Sequence, residues 1–135
     1  MIRRLIILLL IVGCDYAPTE HTHDDLTFDG YVFLWGEFYS IQTTTYLNLS
    51  GNQLTGEIPS EIGNLTNLTE LQLNNTQLTG SIPPEIGSLT NLTYLALSIN
   101  QLTGEIPQAV CDLIESNNLS ILNITSGNNL INTCD

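Results

Sequence analysis

A block of sequence recurs every 24 residues, and this repeat constrains the fold more than any other feature of the 135-residue chain. Residues 46–59, YLNLSGNQLTGEIP, return as residues 70–83 and, in a third copy, as residues 94–107. Residues 61–68 match residues 85–92 at the same interval. A constant period of this length indicates a solenoid, in which each repeat forms one coil and the stacked coils share a core.

The pattern inside each copy predicts its local structure. Leu47 and Leu49 alternate with polar neighbours, which is the period-2 signature of a strand with one buried face. Each copy continues with a glycine, which suits a tight turn, and a proline, which delays the start of a helix. These residues are Gly56, Gly80, Gly104, Pro59, Pro83 and Pro107. We therefore predict one strand per coil, with short helical turns opposite.

The frame L-x-x-L-x-L-x-x-N-x-L, extended by L-T-G-x-I-P, resembles the plant type of leucine-rich repeat. It is filled by Leu68, Leu71, Leu73, Thr76 and Leu78, and by Leu92, Leu95, Leu97, Asn100 and Leu102. The resemblance implies an α/β repeat solenoid, a right-handed coil with a parallel β-sheet on its concave face and short 3-10 or helical turns on its convex face. Residues 45–135 would form three regular coils and a degenerate C-terminal coil or cap.

The asparagine of this frame has a structural role. Asn52 and Asn100 fall where a turn leaves backbone groups unpaired, and a buried amide side chain can bond them. Thr76 replaces the asparagine in the middle coil. Since a hydroxyl has one donor where an amide has two, it can bond fewer of these backbone groups, and we expect a weaker ladder of hydrogen bonds there.

The N-terminal segment has the features of an export signal. In residues 1–13, Arg3 and Arg4 precede an apolar run of eight residues, which is too short to span a hydrocarbon core of ~30 Å. Residues 11–14, IVGC, resemble a bacterial lipobox, which implies that Cys14 carries a lipid anchor. An ordinary cleaved signal peptide is the alternative.

A polar segment, residues 14–30, follows and is predicted to be a flexible acidic tether. Its His21 and His23, with Asp24 and Asp25, are four possible metal ligands. Nothing in a tether organises their geometry, so we favour solvated side chains over a metal site.

Residues 31–44 hold most of the aromatic residues and resemble the W-x-G-V-x-C cap that precedes plant-type repeats. Phe38 lies near the position of the cysteine, so we expect a hydrophobic plug in place of a disulfide. Trp35 is interpreted as part of the core of this cap, with a ligand platform as the alternative.

At the C-terminal end the period slips, because Leu122 follows Leu95 by 27 residues. Cys111 and Cys134 bracket this segment. With Cys14 assigned to the anchor, two cysteines remain in an exported chain, the number expected for one disulfide. Cysteine catalysis is the rival interpretation, and it lacks a positioned histidine.

The charge excludes several functions. Arg3 and Arg4 are the only basic residues, against 14 acidic ones. Without them the chain has no Lys or Arg, and so no fixed cation that could neutralise phosphates. This excludes nucleic acid as a partner and leaves the lipid anchor as the only membrane contact. No nucleophile motif, phosphate loop or lysine is present, so we expect neither an enzyme nor a cofactor.

Strand residues that point away from the leucines should form columns on the concave face. The predicted columns are Tyr46, Glu70 and Tyr94; Asn48, Gln72 and Ala96; and Ser50, Asn74 and Ser98. A polar surface with two tyrosines suits recognition of a protein, peptide or glycan, while a merely solvated face is the alternative.

Together these features predict an extracytoplasmic lipoprotein of the bacterial cell envelope or surface, with an adhesive or receptor-like binding role. One alternative is a structural protein that self-associates through its solenoid ends. A second is a glycan-active enzyme using Glu70, and a third is a non-functional remnant of repeat duplication.

Overall fold

The computed structural model describes residues 27–134, with only the backbone of Thr27 and Phe28. The described part begins with a small antiparallel sheet of three strands, β1 (Thr27–Phe28), β2 (Tyr31–Leu34) and β3 (Glu37–Ser40). With β1, the N-terminal sheet begins at Thr27, four residues before residue 31, where the cap is predicted to start. The predicted signal peptide, Cys14, and the histidines of the tether lie outside the described residues.

Two parallel sheets run along the stacked coils. The concave sheet consists of β4 (Tyr46–Asn48), β6 (Glu70–Gln72) and β8 (Tyr94–Ala96) in that order. The second sheet is built from β5 (Thr55–Gly56), β7 (Gln77–Gly80), β9 (Gln101–Glu105) and β10 (Asn129–Ile131). The predicted repeat solenoid with a parallel concave sheet is confirmed.

The convex side carries helical turns, as predicted for the first two coils. The 3-10 helices η1 (Ser60–Asn64) and η2 (Pro84–Ser88) follow Pro59 and Pro83, whose extended backbone has ψ of 138° and 135°. The third coil differs, since it carries the nine-residue α-helix α1 (Gln108–Ser116). This longer helix accounts for the slip of the period from 24 to 27 residues after the third coil.

Close approach between coils explains two glycines on the convex side. A Cβ atom on Gly63 would lie 2.6 Å from the carbonyl oxygen of Glu85, and one on Gly87 would lie 2.6 Å from Ala109. The third coil has Cys111 at the same repeat position. No further 3-10 helix packs against that coil within the described residues, so a side chain fits there.

The core is a column of branched aliphatic side chains that extends through all the coils. Leu71 and Leu95 of the concave strands have essentially no exposed surface, and the isoleucines of the L-T-G-x-I-P segments are equally buried. Each side chain packs against its repeat partner one coil away, so no single coil holds a core of its own. The leucine frame predicted from the repeat is therefore the core of the structure.

Asn100 is the buried polar residue of this core, with 8% of its surface exposed. Its Nδ2 donates to the carbonyl oxygens of Leu73 (2.8 Å) and Leu97 (3.0 Å). Its Oδ1 accepts from the amide of Leu78 at 3.1 Å and from the hydroxyl of Thr76. One side chain thus satisfies backbone groups of two coils.

Thr76 leaves one bond of this ladder unmade. In the two following coils, asparagine Oδ1 atoms accept from the amides of Leu78 and Leu102. Among the described residues, no hydrogen bond joins the corresponding Leu54 amide to Thr76. The ladder is shorter by one bond at this coil, in agreement with the weakness expected from the hydroxyl.

The N-terminal cap closes the core with aliphatic side chains. Val32 and Leu34 of β2 are fully buried, whereas Phe38 is 43% exposed and packs on Phe33 at the surface. The expectation that Phe38 plugs the core was wrong, because alternate residues of a β-strand point to opposite faces. Trp35 is partly buried against the core, in a two-residue hairpin turn with positive φ.

Tyr39 of β3 is part of this cap, where its partial burial and then the nearby carboxylate of Glu37 raise the pKa of its phenol above the usual value for tyrosine. The neutral form of this hydroxyl is therefore favoured over a wider pH range than in an exposed tyrosine.

The C-terminal coil differs from the others in the concave sheet. A short helix, α2 (Leu122–Thr125), lies beside β8 where a fourth strand would continue the sheet. The predicted Cys111–Cys134 disulfide is confirmed, and it ties α1 to the segment after β10. In the described part of the chain no helix is long and apolar enough to cross a membrane.

Candidate functional site

The candidate site is the concave sheet, whose register brings the first predicted column together. Tyr46 pairs with Glu70, and Glu70 pairs with Tyr94, on three adjacent strands. The chain folds this way because the leucines on the other side of each strand enter the core. Residues of opposite orientation are therefore held outward at the strand spacing of ~4.8 Å.

The second column is accessible only in part. Asn48 is exposed and Gln72 is half-buried, but Ala96 is only 3% exposed. Ala96 was predicted to line the binding face, and this was wrong because the neighbouring groups leave its methyl almost no accessible surface. The third column, with Ser50, Asn74 and Ser98, is half-buried in all three coils.

Hydrogen bonds fix the polar side chains of the first coil. The amide of Asn48 donates to the hydroxyl oxygen of Tyr46 at 3.0 Å. Asn48 Oδ1 accepts from both the backbone amide (3.0 Å) and the hydroxyl (2.6 Å) of Ser50. Tyr46 is therefore held in place before any ligand arrives, which reduces the entropy lost on binding.

Glu70 is the one carboxylate among the nine predicted face residues. Among the described residues its carboxylate accepts a hydrogen bond from Gln72 Nε2 at 3.4 Å. Glu70 is half-buried, whereas its neighbours Tyr46 and Tyr94 have 53% and 40% of their surface exposed. Glu70 is thus less accessible than the tyrosines on the two neighbouring strands.

Ile99 lies at the rim of this face, and the sequence interpretation missed it. It is 57% exposed and has a φ of 57°, in the left-handed region that β-branched residues avoid. The equivalent residues, Gly51 and Asn75, have φ of 70° and 56° and tolerate that conformation. The signal was present in the sequence, because isoleucine occupies a position where the other coils have glycine and asparagine.

We expect Ile99→Asn to raise the free energy of unfolding by about 1 kcal/mol, since asparagine relieves the backbone strain. Urea denaturation of the two proteins is the measurement. Ile131→Asn is the matched control, because Ile131 is 58% exposed in β10 and has no positive φ. An Ile99→Asn variant no more stable than the wild type would show that isoleucine carries no strain there.

A cavity of about 260 Å³ lies apart from the concave face, beside the disulfide. Its lining includes Asp112 and Glu115 of α1 together with Leu119 and Ile121. Within residues 27–134 no three His, Cys, Asp or Glu side chains lie close enough together to hold a metal ion.

The family described as Leucine Rich repeats (2 copies) matches residues 45–84 and again residues 66–108. Both matches fall on the coils that carry the concave strands. Residues 45–108 are leucine-rich repeats of the plant type. No curated protein sequence matches the chain.

Solved structures with these repeats are similar in fold and in sequence. The BIR3–SERK2 complex from Arabidopsis thaliana is 36% identical over 64% of this chain and 43% of that chain, with a TM-score of 0.56. A plant ice-binding protein is 38% identical over 64% of this chain and 26% of that chain, with a TM-score of 0.56. A third structure is the ectodomain of the plant membrane receptor kinase GASSHO1/SCHENGEN3 from Arabidopsis thaliana, in complex with CASPARIAN STRIP INTEGRITY FACTOR 2. It is 33% identical over 65% of this chain and 10% of that chain, with a TM-score of 0.54.

The chain spans less than half the length of each of these structures. They include a receptor ectodomain in complex and an ice-binding protein, so the same repeat serves more than one kind of binding. The ligand of these leucine-rich repeats must therefore be argued from their own side chains.

Proposed function

We propose that this chain is an extracytoplasmic recognition module that binds a peptide or protein on its concave face. The observation that carries the proposal is the pair of exposed tyrosines, Tyr46 and Tyr94, held on either side of Glu70 by the register of the sheet. Tyrosine is enriched at the energetic centres of interfaces because its ring gives a large contact area for little lost entropy.

The comparisons support the same kind of ligand. Two of the three structures above are complexes, BIR3 with SERK2 and the GASSHO1/SCHENGEN3 ectodomain with CASPARIAN STRIP INTEGRITY FACTOR 2. The second of these is a receptor ectodomain. An ectodomain lies outside the cytoplasm, which agrees with the export signal that residues 1–13 resemble. We also propose that Cys14 anchors the chain through lipid, on the resemblance of residues 11–14 to a lipobox.

The geometry of Glu70 argues against glycan hydrolysis. Glycosidases use two carboxyl groups that flank the scissile bond at about 5 to 9.5 Å from each other. The strand neighbours of Glu70 are Tyr46 and Tyr94, and Gln72 follows it on the same face. Since none of these is an acid, Glu70 is better placed to bind than to catalyse.

Selection of peptides tests the proposal. A random peptide library is displayed against the immobilised full chain, and the enriched peptides are synthesised for titration calorimetry. We expect Tyr46→Ala and Tyr94→Ala each to raise the Kd of these peptides about tenfold, because each removes an aromatic contact.

Phe38→Ala is the matched control, since Phe38 is 43% exposed on the cap and lies off the concave face. It should change the Kd less than twofold. Enriched peptides that bind the Tyr46→Ala/Tyr94→Ala variant as tightly as the wild type would show that the concave face is not the binding site. Sedimentation of the unliganded chain separates this function from self-association, which predicts oligomers at micromolar concentration.

A further inference from the structure

The charge of the described chain is entirely of one sign. Residues 27–134 contain nine acidic side chains and no Lys, Arg or His. No cationic side chain of these coils can therefore pair with the carboxylate of Glu70. An acidic ligand segment would be repelled by the whole surface, whereas a basic one would be attracted to it.

The position of Glu70 favours a cation over other ligands. Its flanking strands carry Tyr46 and Tyr94, each one strand spacing of ~4.8 Å away. A cation that reaches the Glu70 carboxylate therefore meets a tyrosine on the neighbouring strand at each side, and aromatic rings attract a cation over distances up to ~6 Å. The carboxylate and the neighbouring tyrosines therefore both favour a positive charge at this place on the face.

The carboxylate also has unused capacity to accept hydrogen bonds. A carboxylate has about four acceptor positions. Among the described residues the Glu70 carboxylate uses one of them, for a long bond of 3.4 Å from Gln72. A guanidinium group can donate two parallel bonds to the remaining positions, and partial burial of Glu70 strengthens the attraction relative to a fully exposed acid.

A divalent metal ion fits this site less well. Calcium takes six to eight oxygen ligands, usually with several carboxylates among them. The side chains next to Glu70 on the face are Tyr46, Tyr94 and Gln72, so it is the only carboxylate on these three strands. The site offers one charge and two rings, which is the chemistry that recognises an organic cation.

We infer that the concave face recognises a basic segment of its partner, with one arginine or lysine side chain seated against Glu70 between Tyr46 and Tyr94. This inference rests on the proposed function, because it names the chemistry of the peptide that the same face binds. It excludes acidic and neutral peptides as the main class of ligand.

The experiment uses the peptides enriched by selection on the full chain. In each peptide every arginine is replaced in turn by citrulline, which keeps the shape and removes the charge, and every lysine by norleucine. The Kd of each pair is measured for the wild type, for Glu70→Gln and for the control Glu85→Gln. Glu85 is an exposed acid of η2, so its replacement removes the same charge from the convex side.

We expect the enriched peptides to share a basic residue whose neutralisation weakens binding to the wild type about tenfold, or about 1.4 kcal/mol. Glu70→Gln should weaken binding of the unmodified peptide by a similar factor. The neutralised peptide should then bind this variant no more weakly than the unmodified peptide does. Glu85→Gln should change the Kd less than twofold.

Three results would overturn the inference. The first is enrichment of peptides without arginine or lysine. The second is an equal loss of affinity in the wild type and in Glu70→Gln when the basic residue of the peptide is neutralised. That result would assign the effect to the overall charge of the chain. In both cases sensitivity to Tyr46→Ala and Tyr94→Ala would leave the proposed function standing. The third, peptides that are insensitive to the tyrosine substitutions as well, would remove the proposed function together with the inference.

Discussion

We expect Asn100→Ala to lower the free energy of unfolding by about 3 to 4 kcal/mol, a large share of the stability of a small domain. The substitution removes one hydrogen bond from each of three backbone groups, the carbonyls of Leu73 and Leu97 and the amide of Leu78. The two carbonyls keep bonds from Thr76 and Asn128, whereas among the described residues the Leu78 amide has no other partner. These groups lie beside a side chain that is 8% exposed, so water does not readily replace the lost bonds. The volume left by the side chain adds to the loss.

Asn52 provides a matched control in the same repeat position. It is exposed, and its Nδ2 donates to the carbonyl of Leu49 at 3.1 Å. Because water can bond that carbonyl instead, Asn52→Ala should cost less than about 1 kcal/mol. Urea unfolding of the two variants, with the disulfide intact, gives the comparison. Equal losses at Asn52 and Asn100 would contradict the assignment of the large effect to buried backbone groups.

This contrast shows how far the repeat could be predicted from the sequence. The positions of Leu71, Leu95 and Asn100 follow from the period alone, because every internal coil packs between two similar coils and buries the same repeat positions. The columns of the concave face follow for the same reason, since a parallel sheet in register places Tyr46, Glu70 and Tyr94 side by side.

The ends of the solenoid were harder to predict because the periodic argument does not apply to them. Each cap occurs once and has a neighbour on one side only. The sequence predicts Phe38 as a plug, yet Val32 and Leu34 fill that place because the strand turns their side chains inward. In the C-terminal coil, a helix at residues 122–125 lies where the repeat would have a strand.

Accessibility also lay beyond the sequence. Ala96 occupies the expected column but is 3% exposed, whereas Asn48 in the same column is exposed. Ile99 is 57% exposed at a backbone position that two other coils fill with Gly51 and Asn75. The burial of Ala96 depends on its three-dimensional surroundings, which a repeat pattern does not show. The position of Ile99 is different, because the repeat itself marks it as one that other coils fill with glycine and asparagine.

The second large effect is expected at the disulfide. Replacing both Cys111 and Cys134 by alanine should lower the free energy of unfolding by about 3 kcal/mol, because the bond closes a loop of 23 residues in the unfolded chain. The wild type measured in a reducing agent should lose a similar amount. Each single alanine variant should match the double variant, since one cysteine alone closes no loop.

The loss should fall mainly on the last coil, because the stability of a solenoid is close to a sum of neighbouring coil contacts. The disulfide holds the segment that follows β10. The hydrogen bonds between β10 and the chain at β9 include the one from the Ile106 amide to the Ile131 carbonyl. Hydrogen exchange should therefore speed up at Ile106 more than at Leu73, whose amide bonds to the carbonyl of Ala96 in the concave sheet. Equal acceleration at both amides would mean that the solenoid opens as one unit.

The same disulfide supports the concave face through α2. The amides of Leu97 and Ser98 both donate to the carbonyl of Asn123 in that helix, so it covers the outer edge of the third concave strand. If the last coil opens after the disulfide is lost, these two amides are exposed and the strand that carries Tyr94 becomes an unprotected edge. The disulfide thus acts at a distance from the concave face, by keeping one of its two tyrosines on a fixed strand.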